Sequence, residues 1–246
     1  MIAIIALGVT DVGQVVEASY PRFTVFGDEA ILVRFGHGID LRVHRQIQQF
    51  CTELAQRAIP GVIECVPAYD CASVVFNPDA VRASALVSKL EAIVRASAES
   101  TVTPVRVVEI PVCYGGDQGP DLPYVANCTG MSQADVIAIH TAPEYTVYMI
   151  GFAPGFPYLG GMDTSIAVPR KATPRPTIPA GSVGIAGVQT GVYPLATPGG
   201  WQLIGRTPLR LFDPVSNPPT LLAAGDVVRF RAISEEEYNE LCGATS

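Results

Sequence analysis

Apolar and polar positions follow two different rhythms along this chain. Between Phe23 and Val108, short β-prone runs alternate with stretches of helical spacing. Phe23 to Phe26 and Ala30 to Phe35 read as strands around the turn Gly27-Asp28. Asp40 is placed to cap a helix running to about Ala58, with Leu41, His44, Ile47 and Leu54 near one face, and Pro60-Gly61 ends it. Val62 to Ala68 and Ala72 to Phe76 predict a strand pair. Pro78-Asp79 opens a second helix with Val81, Leu86, Leu90, Ile93 and Val94 apolar, and Val105 to Val112 returns as a strand. The order β, α, β, β, α, β predicts a split βαβ, ferredoxin-like unit.

Beyond Val112 the rhythm shortens. Ser132 is placed as a helix cap with Asp135 three residues on, Met131 and Val136 suit a hydrophobic staple, and the helix ends near His140. Short β-prone runs then alternate with Gly and Pro turns: Tyr145 to Ile150, Ser182 to Ile185, Gly187 to Pro194, Trp201 to Arg206, Leu209 to Phe212 and Asp226 to Ala232. Such spacing predicts a closed or nearly closed β-barrel. The expected architecture is α+β: a small ferredoxin-like N-terminal domain over 21–108 and a barrel domain over 109–234. Residues 1–20 read as a disordered leader outside the fold, and 235–246 as an acidic C-terminal tail.

Composition narrows the class. The chain has 246 residues, 48% of them apolar and 16% charged, so it can bury a large core. Its 23 glycines and 21 prolines fall short of the roughly 25–30% that marks disorder, and 24 of them lie between Gly151 and Gly225. No apolar run approaches the roughly 18 residues of a bilayer span, so neither membrane insertion nor export is expected. Six scattered cysteines without C-x-x-C spacing read as reduced thiols of a cytoplasmic protein, and no metal site is expected. The net charge of −7 argues against nucleic-acid binding. Between Tyr145 and Phe212, however, Arg170, Lys171, Arg175, Arg206 and Arg210 face a single acid, Asp163. A basic island in an acidic protein points to a small anionic ligand, or to solvated charges paired elsewhere in the fold.

Four stretches carry candidate chemistry. In Gly151-Phe152-Ala153-Pro154-Gly155-Phe156-Pro157-Tyr158-Leu159-Gly160-Gly161, proline and glycine shape a loop and the rings give it an aromatic surface. Pro169-Arg170-Lys171 and Pro174-Arg175-Pro176 hold two arginines on stiff backbone, as carboxylate or phosphate recognition requires. The glycine-rich run from Ile178 to Pro194 exposes backbone N–H groups and adds Ser182, Gln189, Thr190 and Tyr193. Pro198-Gly199-Gly200-Trp201-Gln202-Leu203-Ile204-Gly205-Arg206-Thr207 is similar in character. Most of these glycines also suit bulges and close strand contacts, and Trp201 reads as a core anchor. His140 is open to two readings, a satisfied core histidine or a proton carrier, while His37 and His44 read as surface residues. The P-loop, dinucleotide-binding, nucleophile-elbow and zinc-protease motifs are all missing.

Together these stretches closely resemble the KipI/PxpB family, also called allophanate hydrolase subunit 1. The family patterns G-F-x-P-G-F-P-Y-L-G-G, P-R-x-x-x-P-R, I-P-A-G-S-V-G-I-x-G-x-Q-T-G-x-Y-P and P-G-G-W-x-L-I-G-R-T-P stand intact, and V-P-A-Y matches Val66 to Tyr69. The resemblance runs from Gly27 to Phe230. It implies a cyclophilin-like barrel and a role as the B-type subunit of an ATP-dependent 5-oxoprolinase, inactive alone. It further implies a PxpC/KipA-type partner (allophanate hydrolase subunit 2), a PxpA-type subunit, and ATP with Mg2+ at a site shared with the partner. In that setting His140 or Tyr148 would transfer protons, and Arg170, Arg175 and Arg206 would hold anions. Ser182, Gln189 and Thr190 would position the lactam, with Phe156, Tyr158 and Tyr193 lining the site. The alternatives are a KipI-like inhibitor of a sensor histidine kinase or a subunit of a related urea- or allophanate-processing enzyme.

Overall fold

A hairpin starts the first sheet. Arg22–Phe26 (β1) and Ala30–Arg34 (β2) pair antiparallel across the turn at 27–29. The computed structural model describes residues 19–97 and 105–244, so most of the predicted leader, 1–18, lies outside the described residues. It divides the chain into two units, Met1–Thr103 and Pro104–Ser246.

In the first unit β2 leads into helix α1 (Leu41–Arg57), strands β3 (Val62–Pro67) and β4 (Cys71–Phe76), and helix α2 (Ala83–Ser97). Asp40 caps α1 by accepting the Arg42 N–H at 2.7 Å, as its position predicts. Ala58, in the left-handed region at φ 42°, ends it. The sheet order is β1-β2-β4-β3, antiparallel throughout, so β2 and β3 lie parallel on either side of β4. Alternate residues Ile31, Val33, Ala72, Val74 and Phe76 share one buried cluster with Ile47, Phe50 and Leu54 of α1 and Leu86, Leu90 and Ile93 of α2.

This is not the predicted βαββαβ order. The edge beside β2 is filled by β1, which is tethered to β2 by a short turn and closes at little entropic cost. The strand expected there belongs to the second unit. His44 also departs from expectation: it is buried, at 2% exposure, on the inner face of α1.

The second unit is built on a closed barrel of β5 (Val107–Tyr114), β6 (Tyr145–Ile150), β7 (Pro157–Gly160), β9 (Ser182–Ala186), β10 (Gln189–Val192), β12 (Gln202–Arg206) and β13 (Val227–Ile233), ordered β10-β7-β6-β13-β5-β12-β9. Only β5 and β13 pair in parallel, residue for residue from Val107↔Val227 to Cys113↔Ile233. Ile110, Val112, Tyr145, Val147, Leu159, Val183, Ile185, Val192, Ile204, Val228 and Phe230 belong to its main buried cluster. Outside the barrel, β8 (Arg175–Ile178) and β11 (Thr197–Gly199) make a separate ribbon.

Two helices join β5 to β6. α3 (Leu122–Thr129) has no counterpart in the sequence expectation; Pro123 in its first turn and Gly130 in the left-handed conformation after it are its signals. α4 (Gln133–Thr141) carries the expected capping box, with the Asp135 N–H donating to Ser132 Oγ at 3.1 Å and the Ser132 N–H donating to Asp135 Oδ2 at 3.2 Å. Leu209 to Phe212 does not form the expected strand; Phe212 makes one isolated bridge to Thr220. The expected acidic tail is largely a helix, α5 (Glu235–Ala244), which buries Tyr238 to 6% exposure. Ser234 Oγ accepts the Glu237 N–H at 3.2 Å, and three glutamates in the first turn suit the positive end of the helix.

Candidate functional site

Strand alternation sorts the candidate residues of β9, β10 and β12 onto two faces. On β10, Val192 joins the main barrel cluster, whereas a side chain added at Gly191 would point to Phe156 and Trp201. On β9, Val183 and Ile185 join the barrel cluster and Ala186 the second one. That second cluster comprises Phe156, Ile178, Ala186, Tyr193, Trp201 and Leu203, with Ala153 and Tyr158 against it.

Its rings meet edge to face. Phe156 lies 5.3 Å from Tyr158, 5.4 Å from Tyr193 and 5.6 Å from Trp201, centroid to centroid. The Arg170 guanidinium stands 5.9 Å over the Trp201 ring, a cation–π contact. Burial raises the Tyr158 and Tyr193 hydroxyls, Tyr193 to about 12, and the Arg170 charge opposes both shifts. Both phenols are therefore neutral hydrogen-bonding groups at physiological pH. Phe156, Tyr158, Arg170 and Tyr193 thus come together around Trp201.

Glycine makes this packing possible. A Cβ at Gly191 would stand 3.0 Å from Phe156 Cζ and 3.1 Å from Trp201 Cζ3. Gly191→Ala should cost about 1–2 kcal/mol through overpacking and displace the Trp201 ring. Trp201 is the only tryptophan, so its emission reports this directly. An unchanged spectrum and melting temperature would show that the cluster yields without cost.

The loop bearing Arg170 is held at several points. The Pro169 carbonyl accepts from Gln202 Nε2 at 3.1 Å, and the Lys171 N–H donates to the Gly200 carbonyl at 2.7 Å. Asp121, before α3, accepts from Arg175 Nη2 at 2.8 Å and Lys171 Nζ at 3.4 Å on one oxygen, and from the Leu203 N–H at 2.7 Å on the other. Burial pushes the Asp121 carboxyl up, but hydrogen bonds from Arg175 and the Leu203 N–H, with both cations, bring it below the usual carboxylate range. Arg175 is thus paired within the chain, and its Nη1 is buried without a hydrogen-bond partner among the described residues. By contrast, no carboxylate lies within salt-bridge distance of Arg170 among the described residues. Sequence reasoning passed over Asp121; its signal was an acid ahead of an apolar helix start at Leu122-Pro123.

The remaining candidates lie elsewhere. His140 is fully buried, 4.7 Å from Phe230 and 5.5 Å from Tyr145 between ring centroids. The Thr190 hydroxyl donates to the Gly184 carbonyl at 3.1 Å, so it accepts from His140 Nε2–H at 2.8 Å. His140 Nδ1 then accepts the Tyr114 hydroxyl at 2.8 Å. Burial lowers its pKa to about 3. Both ring nitrogens are committed within the core, and Thr190 is turned to the same interior. Tyr148, at the bulge of β6, is 6% exposed and packs over Gly160, where a Cβ would lie 2.1 Å from its ring. Arg206 Nε donates to the Ala180 carbonyl at 2.7 Å, and Ser182 sits opposite it in register, 2% exposed. The Arg206 charge acts on Tyr238 of α5. Gln189 is half-buried at the start of β10.

Comparison with known proteins agrees with this architecture. Residues 21–222 match the family described as carboxyltransferase domain, subdomain C and D. The chain is 51% identical to the B-type subunit of 5-oxoprolinase from Bacillus subtilis, over 87% of this chain and 93% of that one. Identity to the corresponding 5-oxoprolinase subunit of Escherichia coli O157:H7 is 44%, over 85% and 94%. The crystal structure of TTHA0988 superposes with a TM-score of 0.74 at 38% identity; it covers 83% of this chain, which spans only 40% of that longer one. The chain therefore belongs to the carboxyltransferase-domain family of subdomains C and D, the KipI/PxpB family whose members include proteins named as the B-type subunit of 5-oxoprolinase.

Proposed function

We propose that this chain is the B-type subunit of an ATP-dependent 5-oxoprolinase, which phosphorylates 5-oxoproline ahead of ring opening to glutamate. The active site forms with a PxpC/KipA-type subunit, a PxpA-type subunit opens the ring, and this chain is inactive alone in the cytoplasm. The observation that carries this reading is 51% identity over 93% of a protein bearing that 5-oxoprolinase name. The barrel is assigned to the cyclophilin-like type on its motifs, and no prolyl isomerase activity follows from that shape.

The cluster around Trp201 supplies this chain's part of the site. ATP, when bound, supplies the phosphoryl group that activates the lactam oxygen. Arg170 is positioned to hold an anion, either the substrate carboxylate or a phosphoryl oxygen, and Tyr158 and Tyr193 offer neutral hydroxyls beside it. Asp121 fixes the loop and so acts as a positioning residue. Among the described residues no three His, Cys, Asp or Glu side chains gather as a metal-binding group. The donors here fit phosphate rather than Mg2+, which would be held by phosphate oxygens and the partner. His140 is assigned to the architecture of the barrel and not to proton transfer.

Coexpression with the partner subunits and assay of 5-oxoproline-dependent ATP hydrolysis tests the reading. Arg170→Ala should lower that rate about tenfold while leaving assembly intact, the equivalent of one charge-assisted hydrogen bond. A folded, complete complex without the activity would sink the proposal, and an unchanged rate would remove Arg170 from the site.

A further inference from the structure

The first unit holds a feature that the function above does not use. Cys51, in α1, and Cys65, in β3, bring their Sγ atoms to 3.2 Å, in S–H···S contact. Both thiols are free and partly buried, and they stand 14 positions apart in the sequence. The segment between them includes the left-handed turn at Ala58 and Pro60-Gly61, which folds β3 back beside the helix. Each thiol packs against the core cluster formed by Phe50, Leu54 and Val74 with their neighbours.

The spacing discriminates between two uses of a cysteine pair. A metal ion with sulfur ligands at about 2.3 Å in a tetrahedral site holds those sulfurs about 3.8 Å apart. Here they stand closer, and among the described residues no third His, Cys, Asp or Glu completes a metal-binding group. A disulfide needs about 2.05 Å between the sulfurs, a closure of little more than an ångström from their present separation. The contact with Cys65, together with burial, pushes the Cys51 thiol up, so Cys51 itself stays protonated at physiological pH.

We propose that Cys51 and Cys65 form a redox-active pair, which a hydroperoxide closes to an intramolecular disulfide that ties the C-terminal half of α1 to β3. In the first step one thiolate attacks the peroxide oxygen; the O–O bond breaks, giving a sulfenic acid and an alcohol or water. In the second, the other sulfur attacks the sulfenic sulfur, forming the S–S bond and releasing water. The two thiols lose two electrons and two protons in all, and the peroxide takes them up. A dithiol reductant reverses the change by exchange.

The full chain, treated with hydrogen peroxide, alkylated to block remaining thiols and digested, should give one cross-linked peptide pair joining Cys51 to Cys65. Its mass should lie about 2 Da below the sum of the free peptides, and dithiothreitol should restore them. Cys51→Ser and Cys65→Ser should each abolish the link, whereas Cys71→Ser should leave it. The wild-type peptide map decides the question even if a serine variant folds poorly. Recovery of both thiols alkylated after oxidation, or their conversion to sulfinic acid without a link, would overturn the proposal. So would a link made instead through exposed Cys128 to a second molecule.

Discussion

Asp121→Ala is expected to destabilise the second unit by about 3 kcal/mol and to reduce 5-oxoproline-dependent activity with it. Removing one partner of a buried ion pair costs about 3–5 kcal/mol, because the other charge is left without compensation. The lower end applies: Arg175 and Lys171 keep 25% and 31% of their side chains exposed and can turn partly to solvent. The substitution also strands the buried Leu203 N–H, which Asp121 Oδ2 now accepts. A loss of this size should lower the melting temperature by roughly 6–12 °C. Asp121→Asn separates the contributions, since it keeps an acceptor for Leu203 and removes the charge; it should lie about halfway. A melting temperature unchanged in Asp121→Ala would show that the Pro169–Pro176 loop is anchored without this carboxylate.

Acid should weaken the same unit through His140. An unfolded histidine titrates near 6.5, whereas burial holds His140 at about 3 in the fold. Between these values the unfolded chain binds one more proton, so stability is complete above pH 6.5 and falls as pH drops towards 3. At pH 4.5 the loss from this residue is about 3 kcal/mol relative to pH 7.5. Urea unfolding followed by Trp201 emission reads this unit alone, since the tryptophan sits in it. His140→Gln does not titrate and should flatten the dependence of stability on pH by about one proton. The same slope in wild type and variant would contradict the assignment. His44, lowered to about 4 by burial, makes the first unit acid-sensitive over pH 6.5 to 4 for the same reason.

Much of the fold could be read from local pattern, and the exceptions share a cause. Asp40, Ser132 and Asp135 announced their helices because a cap is satisfied within a few residues. Ser234 with Glu237 carried the same kind of signal for α5, hidden by the acidic run that read as a tail. The pattern also placed strands near Val107–Tyr114 and Val227–Ile233, but not their pairing. The two pair across more than a hundred residues, and alternation does not encode such a pairing. The first unit's edge went to β1 instead.

The candidate site shows the same division. Sequence alone determined the family, the glycine- and proline-shaped loops, and the types of group gathered in one basic segment, since these reside in the order of residues. Tertiary structure decided which of them meet. Phe156, Tyr158, Arg170 and Tyr193 converge on Trp201, whereas Thr190, two residues from Val192 and three from Tyr193, joins His140 in the interior. A strand sends neighbouring side chains to opposite faces, and a closed barrel makes one of those faces inaccessible. Charge was settled in the same way: Arg170 and Arg175 look alike in sequence, but only Arg175 meets the buried Asp121 carboxylate. Which of the two arginines is paired within the chain was therefore selected by a contact across 54 residues, which no local pattern contains.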